Sequence, residues 1–204
     1  MPTRNVSKVF IPDAFYHVYN RGWNRGEIFF DDADYTYFEH LLERYLSPQP
    51  VKDRLGREYP RYYPDVHLIA YCLMGNHFHI LLYQNDDEKS VTRLMTSLMT
   101  AYTAYFNKRH KRRGSLFEST YKAVLIIEDS QLMHITRYIH LNHAKYDTWP
   151  HSSYKDYLGS PREWINPQSI LELFPSADAY KEFVADYESV QRERDEIKQE
   201  LYGT

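Results

Sequence analysis

The sequence predicts an α+β fold, in which helices pack on one face of an antiparallel sheet and a helical extension follows at the C-terminus. Two observations favour this class. Segments alternate in the order strand, helix, strand, strand, helix, strand, and a polar, charged helical segment ends the chain. A chain of 204 residues with 43% hydrophobic residues can bury an ordinary core. We therefore expect one main domain, residues 1–158, and an extension, residues 159–204.

Local patterns define each element in turn. The strands are predicted from β-prone runs bounded by turn residues: 15–20, 66–74, 77–84 and 123–127. The helices are predicted from apolar residues at helical spacing behind capping side chains: 31–46, 90–108, 128–144 and 177–201. The second and third strands should form a hairpin around Gly75-Asn76. The apolar stripe of the last helix, which includes Tyr180 and Tyr187, is expected to dock on its own domain or on a second protomer.

Composition restricts the compartment and the binding partners. No apolar run reaches the roughly 18 residues that a membrane span needs, and no signal-peptide pattern is present. The single Cys72 cannot form an internal disulfide, so we expect a cytoplasmic protein. The net charge of −3 argues against a nucleic-acid binder. However, residues 171–204 hold nine acidic and four basic residues, a net charge of −5, which leaves +2 for the first 170 residues.

One basic block stands out within that first part of the chain. Residues 108–113 contain only basic side chains and one histidine. Such a run is most often an ordinary solvated surface, but it is also suited to contacts with phosphate groups. The candidate phosphate contacts in the block are Arg109, Lys111, Arg112 and Arg113.

A His-hydrophobe-His pair in the third strand predicts half of a metal site. Side chains alternate between the faces of a strand, so His77 and His79 project from one face while Phe78 and Ile80 can bury on the other. Neutral imidazole is a common ligand for divalent metals. The alternative is a strand with two incidental histidines on a half-exposed face.

A second candidate group lies on the helix predicted after Ile127. Tyr138 and Asn142 are four residues apart, so they are neighbours on a helical face that borders the apolar stripe. If this helix packs on the strand, the amide oxygen of Asn142 could join the two histidines as a ligand, with the phenol of Tyr138 one turn away. A tyrosine at the edge of the core and an asparagine near a helix end are the structural alternative.

Taken together, the motifs resemble the REP-associated tyrosine transposases, which belong to the HUH single-strand transposases of bacterial insertion sequences. The matching stretches, in order, are Tyr16-His17-Val18-Tyr19-Asn20-Arg21-Gly22, Met74-Gly75-Asn76-His77-Phe78-His79-Ile80-Leu81-Leu82, Arg113-Gly114-Ser115-Leu116-Phe117-Glu118, Tyr121-Lys122 and Arg137-Tyr138-Ile139-His140-Leu141-Asn142. The near-neutral charge departs from the basic character usual in the family, and His143 stands where many relatives have proline.

The resemblance implies a fold and a site. It implies a ferredoxin-like (RRM-like) sheet, a divalent metal ion (Mg²⁺ or Mn²⁺) held by His77, His79 and Asn142, and Tyr138 as the nucleophile. Arg21 and Lys122, within the matching stretches, join the basic block as candidate DNA contacts. Residues 1–158 would then be the HUH-type nuclease domain.

The implied activity is cleavage and strand transfer of single-stranded or hairpin DNA through a 5′-phosphotyrosine, with palindromic repeats as candidate targets. The metal would neutralise charge at the scissile phosphate, since a phenol is a weak nucleophile at neutral pH. We expect a monomer or homodimer in the bacterial cytoplasm, associated with the nucleoid and with no membrane partner. Two alternatives remain: a non-catalytic single-strand-binding domain derived from this fold, and a metal-dependent phosphoesterase that uses water.

Overall fold

The computed structural model describes Lys8 and residues 10–186. Its sheet contains four strands: β1 (Ala14–Arg21), β2 (Val66–Met74), β3 (His77–Gln84) and β4 (Lys122–Ile126). Its α-helices are α1 (Asp32–Leu46), α2 (Ser90–Arg109), α3 (Asp129–His140), α4 (Gln168–Leu171) and α5 (Ala177–Ala185). None of the helices within this described part has the length and apolarity that crossing a bilayer requires.

The sheet has the strand order β2-β3-β1-β4, and every neighbouring pair is antiparallel. The chain therefore crosses from β1 to β2 through α1 and from β3 to β4 through α2, the arrangement of a ferredoxin-like fold. The α+β class and the order of its elements are confirmed. The β2–β3 hairpin turns at Gly75-Asn76, as the sequence predicts.

Helices cover both faces of the sheet, whereas the sequence analysis placed them on one. The helices α1 and α2 bury one face in a core that includes Val18, Phe78 and Ile80. The helix α3 and the segments after it cover part of the other face, where Leu81 and Ile139 belong to a second apolar cluster. Side chains alternate between the two faces along each strand. Near the C-terminal end of β1 and the N-terminal end of β3, those that point to the second face are largely histidines and tyrosines, so this part of the face has little aliphatic surface.

One helix begins as predicted and another ends earlier than predicted. Asp31 caps α1 as expected, its carboxylate accepting hydrogen bonds from two backbone N–H groups. By contrast, α3 ends at His140 rather than near Ala144. Asn142 lies beyond the helix in a tight turn, and its backbone N–H donates to the carbonyl of Ile139 at 3.3 Å. Tyr138 and Asn142 therefore do not share one helical face, although both still reach the same cleft.

The C-terminal segment covers β2 at the edge of the sheet. Backbone hydrogen bonds join Leu73 to His151 and Leu68 to Asn166, at 2.9 and 2.8 Å, so the unpaired edge of β2 is shielded. The helix α5 packs on α3 with Tyr180 and Val184 fully buried. The predicted docking of this helix on its own domain is thus observed. Tyr187 and the rest of the helix predicted for 177–201 lie outside the described residues.

Candidate active site

A cleft of about 590 Å³ lies where the adjoining ends of β1 and β3 meet the C-terminal end of α3. The register of the two strands aligns Arg21 with His77 and Tyr19 with His79, so these four side chains share one patch of the sheet. All four residues for which the sequence analysis predicted chemistry line the cleft: His77, His79, Tyr138 and Asn142.

The ring of His77 is held between two asparagines. Its Nδ1 lies 2.6 Å from Oδ1 of Asn76, and its Nε2 lies 3.0 Å from Oδ1 of Asn142. The amide nitrogen of Asn76 donates to the carbonyl of Arg25 at 3.1 Å, which directs its oxygen to His77. A neutral His77 then carries its proton on Nδ1 and turns the lone pair of Nε2 towards Asn142.

Two electron-rich atoms, Nε2 of His77 and Oδ1 of Asn142, therefore face each other in the cleft. A cation bound between them or a rotated Asn142 amide would satisfy this pair. Burial lowers the pKa of His77, so protonation of the ring at neutral pH is disfavoured. Their separation of 3.0 Å also matches the spacing of about 3 Å between neighbouring ligands on an octahedral ion with bonds of about 2.1 Å. The donor set fits a divalent metal ion.

His79 makes its polar contact deeper in the sheet. Its side chain is buried, and its Nδ1 lies 2.8 Å from Nε2 of His17 on the neighbouring strand. Burial lowers the pKa of His17 to about 3 and holds the pKa of His79 well below its usual value, with the adjacent histidines adding to the latter shift. Both rings are therefore neutral.

Tyr138 reaches the cleft from α3. It is 7% exposed, and its ring stands edge-on to that of His79, with 5.3 Å between centroids and 89° between planes. A second tyrosine, Tyr19, lies under the same cleft, parallel to the ring of His79 at 5.7 Å. Burial, reinforced by Tyr138, raises the pKa of Tyr19 to about 12, so it is poorly suited to ionise.

The basic residues that line the cleft come from β1, the loop after it and β4: Arg21, Arg25 and Lys122. Arg21 forms an ion pair with Glu118, which lowers the pKa of that carboxyl, and about two fifths of each side chain is exposed. Arg25 has a φ of 58°, in the left-handed region that non-glycine residues rarely adopt. Arg25 was not predicted as a site residue, because the sequence of residues 23–26, Trp-Asn-Arg-Gly, indicates only a turn.

The loop from Gly22 to Phe29 is closed onto the β2–β3 turn. The N–H groups of Ile28 and Phe29 both donate to the carbonyl of Gly75, at 2.8 and 3.0 Å. A Cβ atom added to Gly75 would lie 2.1 Å from a carboxylate oxygen of Glu27, so a larger residue there would require the exposed Glu27 side chain to move. The Gly75-Asn76 turn thus fixes both Arg25 and the ring of His77.

The basic block lies apart from the residues that line the cleft. Arg109 is the last residue of α2, and its guanidinium donates to Asp31 at 2.6 and 2.7 Å and to the buried Asp34 at 2.5 Å. It therefore joins α2 to α1. Lys111 and Arg113 are exposed, and Arg112 is partly buried beside Phe106. For the whole block, contact with DNA remains a prediction.

The described residues contain no group of three or more His, Cys, Asp or Glu side chains placed to hold a metal ion. The candidate set has two such residues, His77 and His79, and takes its third donor from an amide. A metal ion held by these three donors alone would keep coordination positions for substrate or water oxygens.

Comparison with known proteins gives the fold and the site a context. Residues 61–142 match the model of a family described as IS200-like transposases. This range includes the four candidate catalytic and metal-binding residues of the cleft. A REP-associated tyrosine transposase bound to a REP hairpin has a similar structure, with a TM-score of 0.51 and 12% identity over 74% of this chain and 82% of that chain. No curated protein matches the chain.

A protein from Deinococcus radiodurans R1, provisionally described as a transposase, aligns with a TM-score of 0.41 and 15% identity over 67% of this chain and 96% of that chain. The strand order and the likeness to the hairpin-bound transposase, with its TM-score of 0.51, show a ferredoxin-like α+β architecture. The resemblance predicted from the motifs is confirmed, and the family match supports a transposase function.

Proposed function

We propose that this protein cleaves and rejoins single-stranded or hairpin DNA through a covalent bond between Tyr138 and a 5′ phosphate. The observation that carries the proposal is the convergence of Tyr138, His77, His79 and Asn142 on one cleft that basic side chains also line. One chain supplies all four groups, so a monomer is sufficient for this chemistry.

In this proposal His77, His79 and Asn142 hold a Mg²⁺ or Mn²⁺ ion. Their nitrogen and oxygen donors suit both ions, and the nitrogen ligands favour Mn²⁺. When bound, the ion would withdraw charge from a non-bridging oxygen of the scissile phosphate. The 3.0 Å contact between Nε2 of His77 and Oδ1 of Asn142 supports this ligand set, because it brings two atoms that can bind a metal side by side.

The role of Tyr138 is to exchange one phosphodiester bond for another. Its phenolic oxygen forms a bond to phosphorus while the bond from phosphorus to the 3′ oxygen breaks. The phenolic proton is released and the departing 3′ oxygen takes up a proton. A 3′ hydroxyl of another strand then attacks the phosphotyrosine and restores the phenol. Both steps conserve the number of phosphate ester bonds, so strand exchange needs no nucleotide hydrolysis.

The bound strand would follow the basic rim of the cleft. Arg21, Arg25 and Lys122 line the cleft, and they would contact phosphates of the bound strand. The fold is shared with a transposase bound to a REP hairpin, which supports hairpin DNA as the first substrate to test. Release of Arg21 from Glu118 would free its guanidinium for a phosphate oxygen.

A labelled DNA hairpin with single-stranded flanks, incubated with the protein and Mn²⁺, distinguishes this function from its alternatives. Separation on a denaturing gel should show label that migrates with the protein and is released by protease. Free cleaved DNA without a protein adduct would indicate a phosphoesterase that uses water. Intact DNA at protein concentrations that saturate binding would indicate a binding domain.

A further inference from the structure

The buried ring of His17 is not used by the proposed reaction. His17 lies on β1, next to the metal-binding strand, and its side chain has no exposed surface. Its Nε2 contacts Nδ1 of His79 at 2.8 Å, while its own Nδ1 is buried without a hydrogen-bond partner among the described residues. A buried imidazole with a single polar contact is a poor core residue, because an apolar ring of similar size would leave nothing unsatisfied.

The geometry of the contact is that of a directed hydrogen bond. The planes of the two rings differ by 12°, and their centroids are 5.0 Å apart. With only 2.8 Å between the contacting nitrogens, these values describe two rings that meet edge to edge in nearly one plane. The N–H bonds and lone pairs of imidazole lie in the ring plane, so one nitrogen donates directly to the other.

The direction of this hydrogen bond determines whether His79 can bind a metal. If His79 donates from Nδ1, its Nε2 keeps a lone pair at the cleft. If His17 donates instead, the proton of His79 lies on Nε2 and blocks coordination. We propose that His17 is a positioning residue, which accepts the Nδ1–H of His79 and so fixes the ring orientation and the tautomer that present Nε2 of His79 to a divalent ion. This inference rests on the proposed metal site.

The experiment is a titration of the purified full-length protein with Mn²⁺, followed by electron paramagnetic resonance of the free ion. Replacement of His17 by Phe keeps a planar ring in the core and removes the acceptor. We expect Mn²⁺ affinity to fall by roughly 10- to 100-fold, the range seen for outer-shell partners of metal ligands. Thermal unfolding of the metal-free protein should be unchanged or shifted upwards.

Two further variants separate positioning from packing. His17→Gln places an amide oxygen near the position of Nε2, and it should restore Mn²⁺ affinity to within several-fold of the wild type. His67→Phe, a change at a partly buried histidine outside the cleft, should leave affinity unaltered. A purely structural role for His17 predicts lower thermal stability in the Phe variant with unchanged affinity, and that outcome would overturn the inference.

The same titration separates failure of this inference from failure of the proposed function. If the wild-type protein binds Mn²⁺ no more tightly than the His77→Ala variant does, the proposed metal site is overturned, and the role of His17 with it. Wild-type protein that binds Mn²⁺ and a His17→Phe variant that binds it equally well would overturn the role of His17 alone.

Discussion

At the scale of single residues, the site depends on the orientation of amides and imidazoles more than on their number. Asn76 directs its oxygen to Nδ1 of His77, and this contact leaves Nε2 free to face Asn142. His17 stands in the corresponding position behind His79. Each of the two candidate histidine ligands thus has a neighbour that fixes its ring, a common arrangement around metal-binding histidines.

Asn142 offers a direct test of the ligand set. Asn142→Ala removes an oxygen donor and should weaken Mn²⁺ binding by about tenfold or more, since even outer-shell partners contribute that much. Asn142→Asp keeps an oxygen at the same place and adds charge, so it should bind Mn²⁺ at least as tightly as the wild type. Electron paramagnetic resonance of free Mn²⁺ gives both affinities. Unchanged affinity in the Ala variant would exclude Asn142 as a ligand.

Sequence patterns predicted which face of β3 carries the candidate metal ligands, but not the residues that orient them. The alternation of polar and apolar residues in β3 placed His77 and His79 together, because that pattern is local to one strand. His17 and His79 are 62 positions apart in the chain, and their contact depends on the register between β1 and β3. A local sequence pattern holds no information about that register. Asn76 was quoted only as a turn residue, since its role depends on the loop that folds over it.

At the scale of elements, the basic rim of the cleft does not come from the segment with the highest density of basic residues. The turn at 23–26 carries Arg25 to the cleft, whereas the basic block at 108–113 lies elsewhere and includes Arg109, which joins two helices. Charge density along the sequence therefore did not locate the basic rim of the cleft. That rim assembles from three separate elements, and no stretch of sequence is notably basic at any of them.

Arg109 should contribute to stability. Its removal leaves the carboxylate of Asp34 buried and without its guanidinium partner, although His110 and the N–H of Phe30 still contact it. Arg109→Ala should lower the free energy of unfolding by about 1–3 kcal/mol, the cost of an unsatisfied buried acceptor. Arg113→Ala, at an exposed position of the same block, should change it by no more than about 0.5 kcal/mol. Urea unfolding measures both, and equal effects would contradict the assignment.

Lys122 should contribute to DNA affinity through its charge. If it contacts a phosphate of single-stranded DNA, Lys122→Ala should reduce the slope of log K against log salt concentration by about 0.7. Lys155→Ala, at an exposed position that does not line the cleft, should leave the slope unchanged. Fluorescence anisotropy with a labelled oligonucleotide at several salt concentrations gives the slope. The same measurement on Lys111, Arg112 and Arg113 variants tests the basic block.

Local patterns also explain which helix boundaries could be predicted. Asp31 is a strong N-cap, so the start of α1 was evident. No glycine or proline marks the end of α3, and the sequence pattern continues past His140. The helix ends at His140, whose buried ring contacts Tyr180 and Ser153, residues distant in sequence that no local pattern identifies.

At the scale of the whole molecule, the C-terminal segment supports the element that carries Tyr138. His140 is fully buried on α3, and its ring contacts the hydroxyl groups of Tyr180 on α5 and Ser153, at 2.6 and 2.8 Å. The described part of the extension therefore packs against the cleft-bearing domain. The division of the chain at residue 158 remains a prediction.

This buried histidine should make stability depend on pH. Burial lowers the pKa of His140 to about 3 from an ordinary value of 6.5, so the unfolded chain takes up a proton at this site where the folded protein does not. Stability is then fully present above about pH 6.5 and is lost as the pH falls towards 3. His140→Gln should make the free energy of unfolding less steep between about pH 4 and 6, by about 1.4 kcal/mol per pH unit. Urea unfolding at several pH values measures this slope, and an unaltered slope would contradict the buried neutral state.

The central claim is that Tyr138 is the nucleophile, and the chain supplies informative controls. Tyr19 lines the same cleft but has a raised pKa. Tyr102 and Tyr105 lie nearer the basic block, but each donates its hydroxyl hydrogen to a backbone carbonyl, that of Ile28 at 2.5 Å and that of Ala33 at 3.2 Å. Tyr102 is completely buried, so its phenol belongs to the core.

Mass spectrometry of peptides from the protein after reaction with hairpin DNA and Mn²⁺ tests this claim most directly. We predict a nucleotide attached to the peptide that contains Tyr138. The adduct should be absent from Tyr138→Phe protein, which should still bind DNA with nearly wild-type affinity. Tyr19→Phe, Tyr102→Phe and Tyr105→Phe proteins should all retain it. A nucleotide on any other tyrosine, or an adduct that persists in Tyr138→Phe protein, would contradict the mechanism.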